Sequence, residues 1–235
     1  ITALVVAPMV APLIGGLLND AFGWRAIFIF SGVVGIVVLA LALPRVPESL
    51  QPGTSAQTFR GMLSGFGVLL RVPAFLGYAG QAGFGMGMFM AFLGAAPFVT
   101  INVLERPPTE FGLFFVLISA GFMAGTFMTA RLGQRIGLDR MMRVGSGLAV
   151  VFGVVMLAFV LAGVWSPWTI FLPGMGMAFA NGLSMPNAQA GAISISPRFA
   201  GTASGLLAFL QMLMGAGFAQ LAGMLQDDTP LPMAV

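Results

Sequence analysis

Residues 144–164 read VGSGLAVVFGVVMLAFVLAGV, 21 consecutive positions without one ionised side chain. A helix of about 20 residues crosses roughly 30 Å of hydrocarbon. No water reaches a backbone N–H or C=O inside that slab, so each must bond within its own segment, and helix is the natural reading of such a run. Working outward, charges and Pro/Gly clusters divide the rest of the chain into similar runs, and spans are expected at about 1–19, 26–44, 75–100, 111–130, 144–164, 168–195 and 199–225. The fold class is therefore an all-α membrane protein of about seven transmembrane helices. Composition agrees: 58% of the residues are hydrophobic and 7% charged, against about a quarter charged in a soluble domain.

The same composition excludes several functions. Cysteine and histidine are absent, which removes disulfides, thiolate nucleophiles, Cys/His metal sites and any imidazole base. No Asp, Glu or Arg falls at the centre of a span, so an intramembrane enzyme lacks its paired nucleophile and base or its two carboxylates at depth. No enzyme activity, metal or cofactor is expected. The net charge of +3 comes from arginines in short connections, without the clustered stripe that nucleic-acid binding requires; the lipid bilayer is the expected partner.

Sorting the arginines by alternate connections orients the chain. Arg45, Arg60, Arg71, Arg131, Arg135, Arg140, Arg143 and Arg198 fall on one side and Arg25 and Arg106 on the other. Cytoplasmic connections retain positive charge, so residue 1 is expected near the cytoplasm and residue 235 outside. Trp165 and Trp168 flank a short external turn, at the depth indole rings favour. The longest connection, 45–74, opens with Pro47, Pro52 and Gly53 and continues as an amphipathic stretch. Its Phe59, Met62, Leu63, Phe66 and Leu70 recur at helical spacing, the pattern of a helix on the membrane surface.

Uncharged polar residues in mid-span tend to face a cavity or another helix. Tyr78, Gln81, Gly85, Met88 and Phe92 share one helical face; they suit either a lining for bulky apolar solutes or an ordinary helix contact with Gln81 bonded across it. Asn181, Ser184 and Asn187 surround Pro186, which interrupts the backbone ladder and marks a binding region or hinge. Gln211 is a further cavity candidate, while Gln220 reads as a packing residue.

Three motifs carry a family resemblance. Ala7-Pro8-x-x-Ala11-Pro12-x-x-Gly15-Gly16 places two bends and a row of small residues on the first span. It resembles the fifth-helix motif of the drug:proton antiporter branch of the major facilitator superfamily, with Ala7 and Ala11 where the family has Gly. Gly23-Trp24-Arg25 resembles the start of the sixth helix. The run from Arg131 through Gly133, Arg135 and Gly137 to Arg140 resembles the second copy of the superfamily's cytoplasmic loop motif. Gln134 takes the place of the family's acid there, and Leu138 and Asp139 the place of basic residues, which leaves orientation and helix capping as the expected roles. Pro197-x-x-Ala200-Gly201-Thr202-Ala203-Ser204-Gly205, followed by Phe209-Leu210-Gln211, resembles helix eleven of the Bcr/CflA resistance subfamily.

The resemblance implies helices five to eleven of twelve. Residues 1–44 would be the last two helices of an N-terminal bundle, 45–74 the cytoplasmic inter-bundle loop, and 75–235 five of six helices of a C-terminal bundle whose helices seven and ten line a central cavity. It implies a multi-pass protein of the bacterial inner membrane, monomeric at full length, exporting small hydrophobic or cationic solutes with protons as the coupling ion; the coupling acid would belong to the first helices. A metabolite or sugar carrier of the same superfamily, and a channel or non-transporting assembly subunit, are the alternatives.

Overall fold

The computed structural model describes residues 14, 18, 21–45, 59–196, 199–226 and 229–231. Apart from Ile14 and Leu18, the expected first span, with Ala7, Pro8, Ala11, Pro12, Gly15 and Gly16, lies outside the described residues. The chain divides into two units, Ile1–Thr58 and Phe59–Val235.

In the first unit α1 spans Trp24–Ala42, against the expected 26–44, and buries none of its residues. Its apolar surface is continuous around the axis, the signature of a helix solvated by lipid. The one hydroxyl on it, Ser31, bonds back to the Ile27 carbonyl at 2.8 Å, which satisfies a polar group where no water reaches. Gly23, at φ +80°, starts the helix. The Arg25 guanidinium lies 4.6 Å from the centre of the Trp24 ring.

The second unit is a helical bundle: α2 (Phe59–Leu69), α3 (Pro73–Phe98, continued as a π-helical turn Val99–Val103), α4 (Pro108–Ile136), α5 (Leu138–Leu161), α6 (Pro167–Ser194) and α7 (Ala200–Met224). Helix α6 is central, packed by α3, α4, α5 and α7, and α3 also packs along α7. Among the described helices α1, α3 with its π turn, α4, α5 and α7 are long and apolar enough to cross a membrane. Helix α6 has the length, 28 residues, but carries prolines, asparagines and glycines in place of aliphatic residues. It is buried by protein over more than half its residues, so its surface need not dissolve in lipid.

Two boundaries differ instructively from expectation. Helix α4 runs six residues past the expected 130, and α5 begins at 138 where 144 was expected. Charge ends a membrane span but does not end a helix; the helix stops only at Gly137, whose φ of +89° breaks the α ladder. Arg131, Gly133 and Arg135 therefore sit on helix α4 and Arg140 on the first turn of α5, rather than in a loop. In α2 the packed face is Gly65, Phe66 and Leu69, set against Phe199 and Thr202 and the apolar cluster of α3 and α7. Leu63 and Leu70 of the expected apolar stripe are exposed, on surface that lipid would cover if the helix lies along a membrane.

Two apolar clusters fill the bundle. At the Trp-bearing end, Phe92, Val99, Ile118, Met156 and Phe171 form the first. At the arginine-bearing end, Leu69, Phe75, Leu206 and Leu207 close around five small alanines. The turn between α5 and α6 is fixed by hydrogen bonds: Trp165 Nε1 donates to the Val160 carbonyl at 3.1 Å. Ser166 and Thr169 form a reciprocal capping box ahead of Pro167.

Candidate substrate-facing site

Pro186 lacks an N–H, so the Gly182 carbonyl one turn earlier loses its helical partner. A neighbouring helix supplies the replacement. Thr129 of α4 reaches the Gly182 and Leu183 carbonyls at 3.2 Å each. Asn187 Nδ2 donates to the Leu183 carbonyl at 2.6 Å and stands 3.5 Å from the Thr129 hydroxyl. This exchange depends on backbones in contact. A Cβ on Gly125 would lie 2.1 Å from the Phe179 carbonyl oxygen, and one on Gly182 would lie 2.4 Å from that of Phe122. Only glycine permits that approach, the membrane counterpart of small-residue helix packing.

The three polar candidates on α6 turn to three different neighbours. Asn181 Nδ2 donates to the Gly85 carbonyl of α3 at 3.1 Å. The Ser184 hydroxyl bonds its own Ala180 carbonyl at 3.0 Å, and its Cβ fills the notch at Gly145 of α5. Asn187 faces α4. A step of three residues rotates a helix position by about 60° from its predecessor, so residues 181, 184 and 187 fan around the axis and do not converge on one cavity. All three are buried. The Oδ1 of Asn181 has no hydrogen-bond partner.

On α3 the structure places four of the five candidates against other helices of the bundle. Tyr78 packs over Gly191 of α6 and donates to Asp139 Oδ1 of α5 at 2.5 Å. Gln81 Oε1 lies 2.8 Å from the Ser146 hydroxyl of α5, which has its own-helix Met142 carbonyl at the same distance as an alternative acceptor. Gly85 receives Asn181. Phe92 meets Phe171 edge to face, centroids 5.9 Å apart. Met88 is half-buried. The Tyr78 to Phe92 stripe is thus the contact face of α3 toward α5 and α6, with Gln81 bonded across it.

Two concavities among the described residues bear on the site. One, of about 440 Å³, opens at the arginine-bearing end between Tyr78, Gly137, Asp139, Arg140 and Arg143. The other is a groove of about 140 Å³ between α6 and α7, lined by Gln189, Ile193, Ser204, Leu207, Ala208 and Gln211. Gln211 is buried, and its Nε2 has no hydrogen-bond partner. Of the predicted candidates, Gln211 is the one that lines this groove; Gln189 beside it was not singled out from sequence, and Ser204 was named only within the helix-eleven motif. Thr129 and Ser146 were not singled out either, and Asp139 was named only as a departure from the loop motif. For Thr129 a signal existed: a proline inside a membrane helix implies a donor for the carbonyl it frees.

Comparison with known proteins places these features in a family. Residues 1–219 match the model of the Major Facilitator Superfamily. The chain is similar to a bicyclomycin resistance protein homolog of Haemophilus influenzae, 29% identical, over 97% of this chain and 58% of that protein. It is also similar to a chloramphenicol resistance protein of Pseudomonas aeruginosa, 28% identical, over 99% of this chain and 55% of that one. It therefore spans somewhat over half the length of these relatives. Its fold is shared with a crystal structure of a bacterial homolog of the human lysosomal transporter Spinster, inward-facing and unoccupied. That match has a TM-score of 0.54 at 19% identity, covering 95% of this chain and 50% of the other. This chain belongs to the major facilitator superfamily, as a multi-pass protein of the bacterial inner membrane.

Proposed function

We propose that the protein is a secondary transporter that exports hydrophobic, drug-like compounds in exchange for protons by alternating access. The observation that carries this reading is the groove between α6 and α7, where Gln189, Ser204 and Gln211 stand among apolar side chains, with Gln211 buried and its Nε2 unpaired, in a member of a transporter superfamily. Buried polar groups are nearly always bonded, so an unpaired donor beside a groove is where a solute hydrogen bond fits. Beside it α6 stays helical from Pro167 to Ser194 through Pro186, with the carbonyl that this proline frees bonded to Thr129. The resistance functions in the names of the two relatives point to drug-like substrates.

In this reading residues 1–44 belong to an N-terminal bundle, 45–74 connect the bundles on the cytoplasmic side, and 75–235 form the C-terminal bundle, with the arginine-bearing end in the cytoplasm. The division of the chain at residue 58 falls inside the proposed connection, with α2 docked on the second unit. The test is efflux from vesicles holding the full-length protein: an outward-transported fluorescent cation should accumulate only while a proton gradient is imposed. Efflux indifferent to collapse of the gradient would remove proton exchange, and no efflux would remove the carrier.

A further inference from the structure

We infer that the groove between α6 and α7 is a subsite for a neutral amide- or hydroxyl-bearing fragment of the solute, held by Gln189, Ser204 and Gln211. The inference rests on the transporter reading and adds the chemistry that the site selects. Ser204 and Gln211 are seven residues apart on α7, two turns, with Leu207 and Ala208 between them, so the four form one stripe. Gln189 and Ile193, one turn apart on α6, complete the opposite wall.

Three features of this wall define its ligand. Its polar groups are two amides and one hydroxyl, which offer donors and acceptors but no charge. An ion entering would lose its hydration without a counter-charge in a low-dielectric site; a neutral fragment loses little. Second, Gln211 lines the groove while its Nε2 is buried with no protein acceptor, so an amide turned toward a carbonyl or hydroxyl oxygen of the solute relieves an existing deficit instead of breaking a bond already made. Third, about 140 Å³ is well below the roughly 300–1,000 Å³ of a complete ligand pocket. The groove holds one functional group while the rest of the solute lies elsewhere in the transport path.

The experiment uses the full-length transporter in proteoliposomes with an imposed pH gradient and two probes. Chloramphenicol is neutral and carries an amide and hydroxyls; tetraphenylphosphonium is a cation with no hydrogen-bonding group. Gln211→Leu should raise the KM for chloramphenicol roughly three- to tenfold, the worth of one hydrogen bond, with kcat and the tetraphenylphosphonium KM within about twofold of wild type. Ser204→Ala and Gln189→Leu should act in the same direction, and Gln211→Asn should fall between wild type and leucine, which separates hydrogen bonding from loss of folding. Equal shifts for both probes, or none for chloramphenicol, overturn the subsite. Equilibrium binding of labelled chloramphenicol to the detergent-purified protein distinguishes the two readings. Binding weakened by Gln211→Leu without any gradient-driven transport by wild type would retain the subsite and sink the transporter. Gradient-driven tetraphenylphosphonium export with no chloramphenicol binding, or binding indifferent to residue 211, would do the reverse.

Discussion

The first half of α6 is held by volume, and the second half by close backbones and hydrogen bonds. Near its start Phe171 is fully buried, stacked on Phe114 at 5.1 Å and edge-on to Phe92 at 5.9 Å. Beyond Gly174 ring-on-ring contacts give way to glycine notches, which admit Phe152 at Gly176 and Tyr78 at Gly191, to Asn181 on Gly85, and to Thr129 on the carbonyl that Pro186 frees. Lipid tails are as apolar as leucine, so burial alone supplies little drive between helices, and association relies on dispersion and interhelical hydrogen bonds. The two halves of α6 divide those two sources between them. The half with polar groups and a proline in its ladder is also the half that borders the proposed subsite.

The largest expected effect breaks the volume-held half. Phe171→Ala should destabilise the bundle by about 3–5 kcal/mol, as aromatic truncation in a packed core does, read as a fall in the thermal midpoint of the purified protein. A loss under 1 kcal/mol would mean the ring cluster is not what holds this end. Next, Gly125→Ala places a Cβ against the Phe179 carbonyl and should cost about 1–3 kcal/mol by overpacking, with a smaller yield of monodisperse protein in detergent.

Thr129→Val sharpens the comparison further. It keeps the shape and removes the donor, at an expected cost of about 0.6–1.7 kcal/mol, the range for hydrogen bonds between membrane helices. In a Pro186→Ala background the Gly182 carbonyl regains a backbone partner, so the same substitution should cost less than half as much; equal costs in both backgrounds would refute the exchange of partners. The smallest effect is at the entrance to α6, where Ser166→Ala removes the N-cap and should cost about 0.5–1 kcal/mol, visible as faster hydrogen exchange at the first turn.

Much of this molecule was readable before its structure. The uncharged runs gave the five described membrane-length helices to within a few residues at most ends, because a lipid slab sets both the length and the composition of what crosses it. Helix ends at the arginine-bearing side were misplaced for the same reason: hydropathy marks where lipid stops, while Ile136 and Leu138 are separated only by the positive φ of Gly137. The polar candidates were found as residues but not as an arrangement. Asn181, Ser184 and Asn187 look like one cluster in the chain and are three separate ties in space.

What the amino-acid order alone determined is solvent: which segments dwell in lipid, which end collects arginine, and that α6 lacks a backbone donor at Pro186, all consequences of local composition. Which polar groups are consumed by neighbours and which stay unpaired was decided only by the tertiary structure. A hydrogen bond such as Ser146 to Gln81 joins residues 65 apart in the chain, and the register of one helix on another is set by side-chain and backbone contacts that no single helix contains.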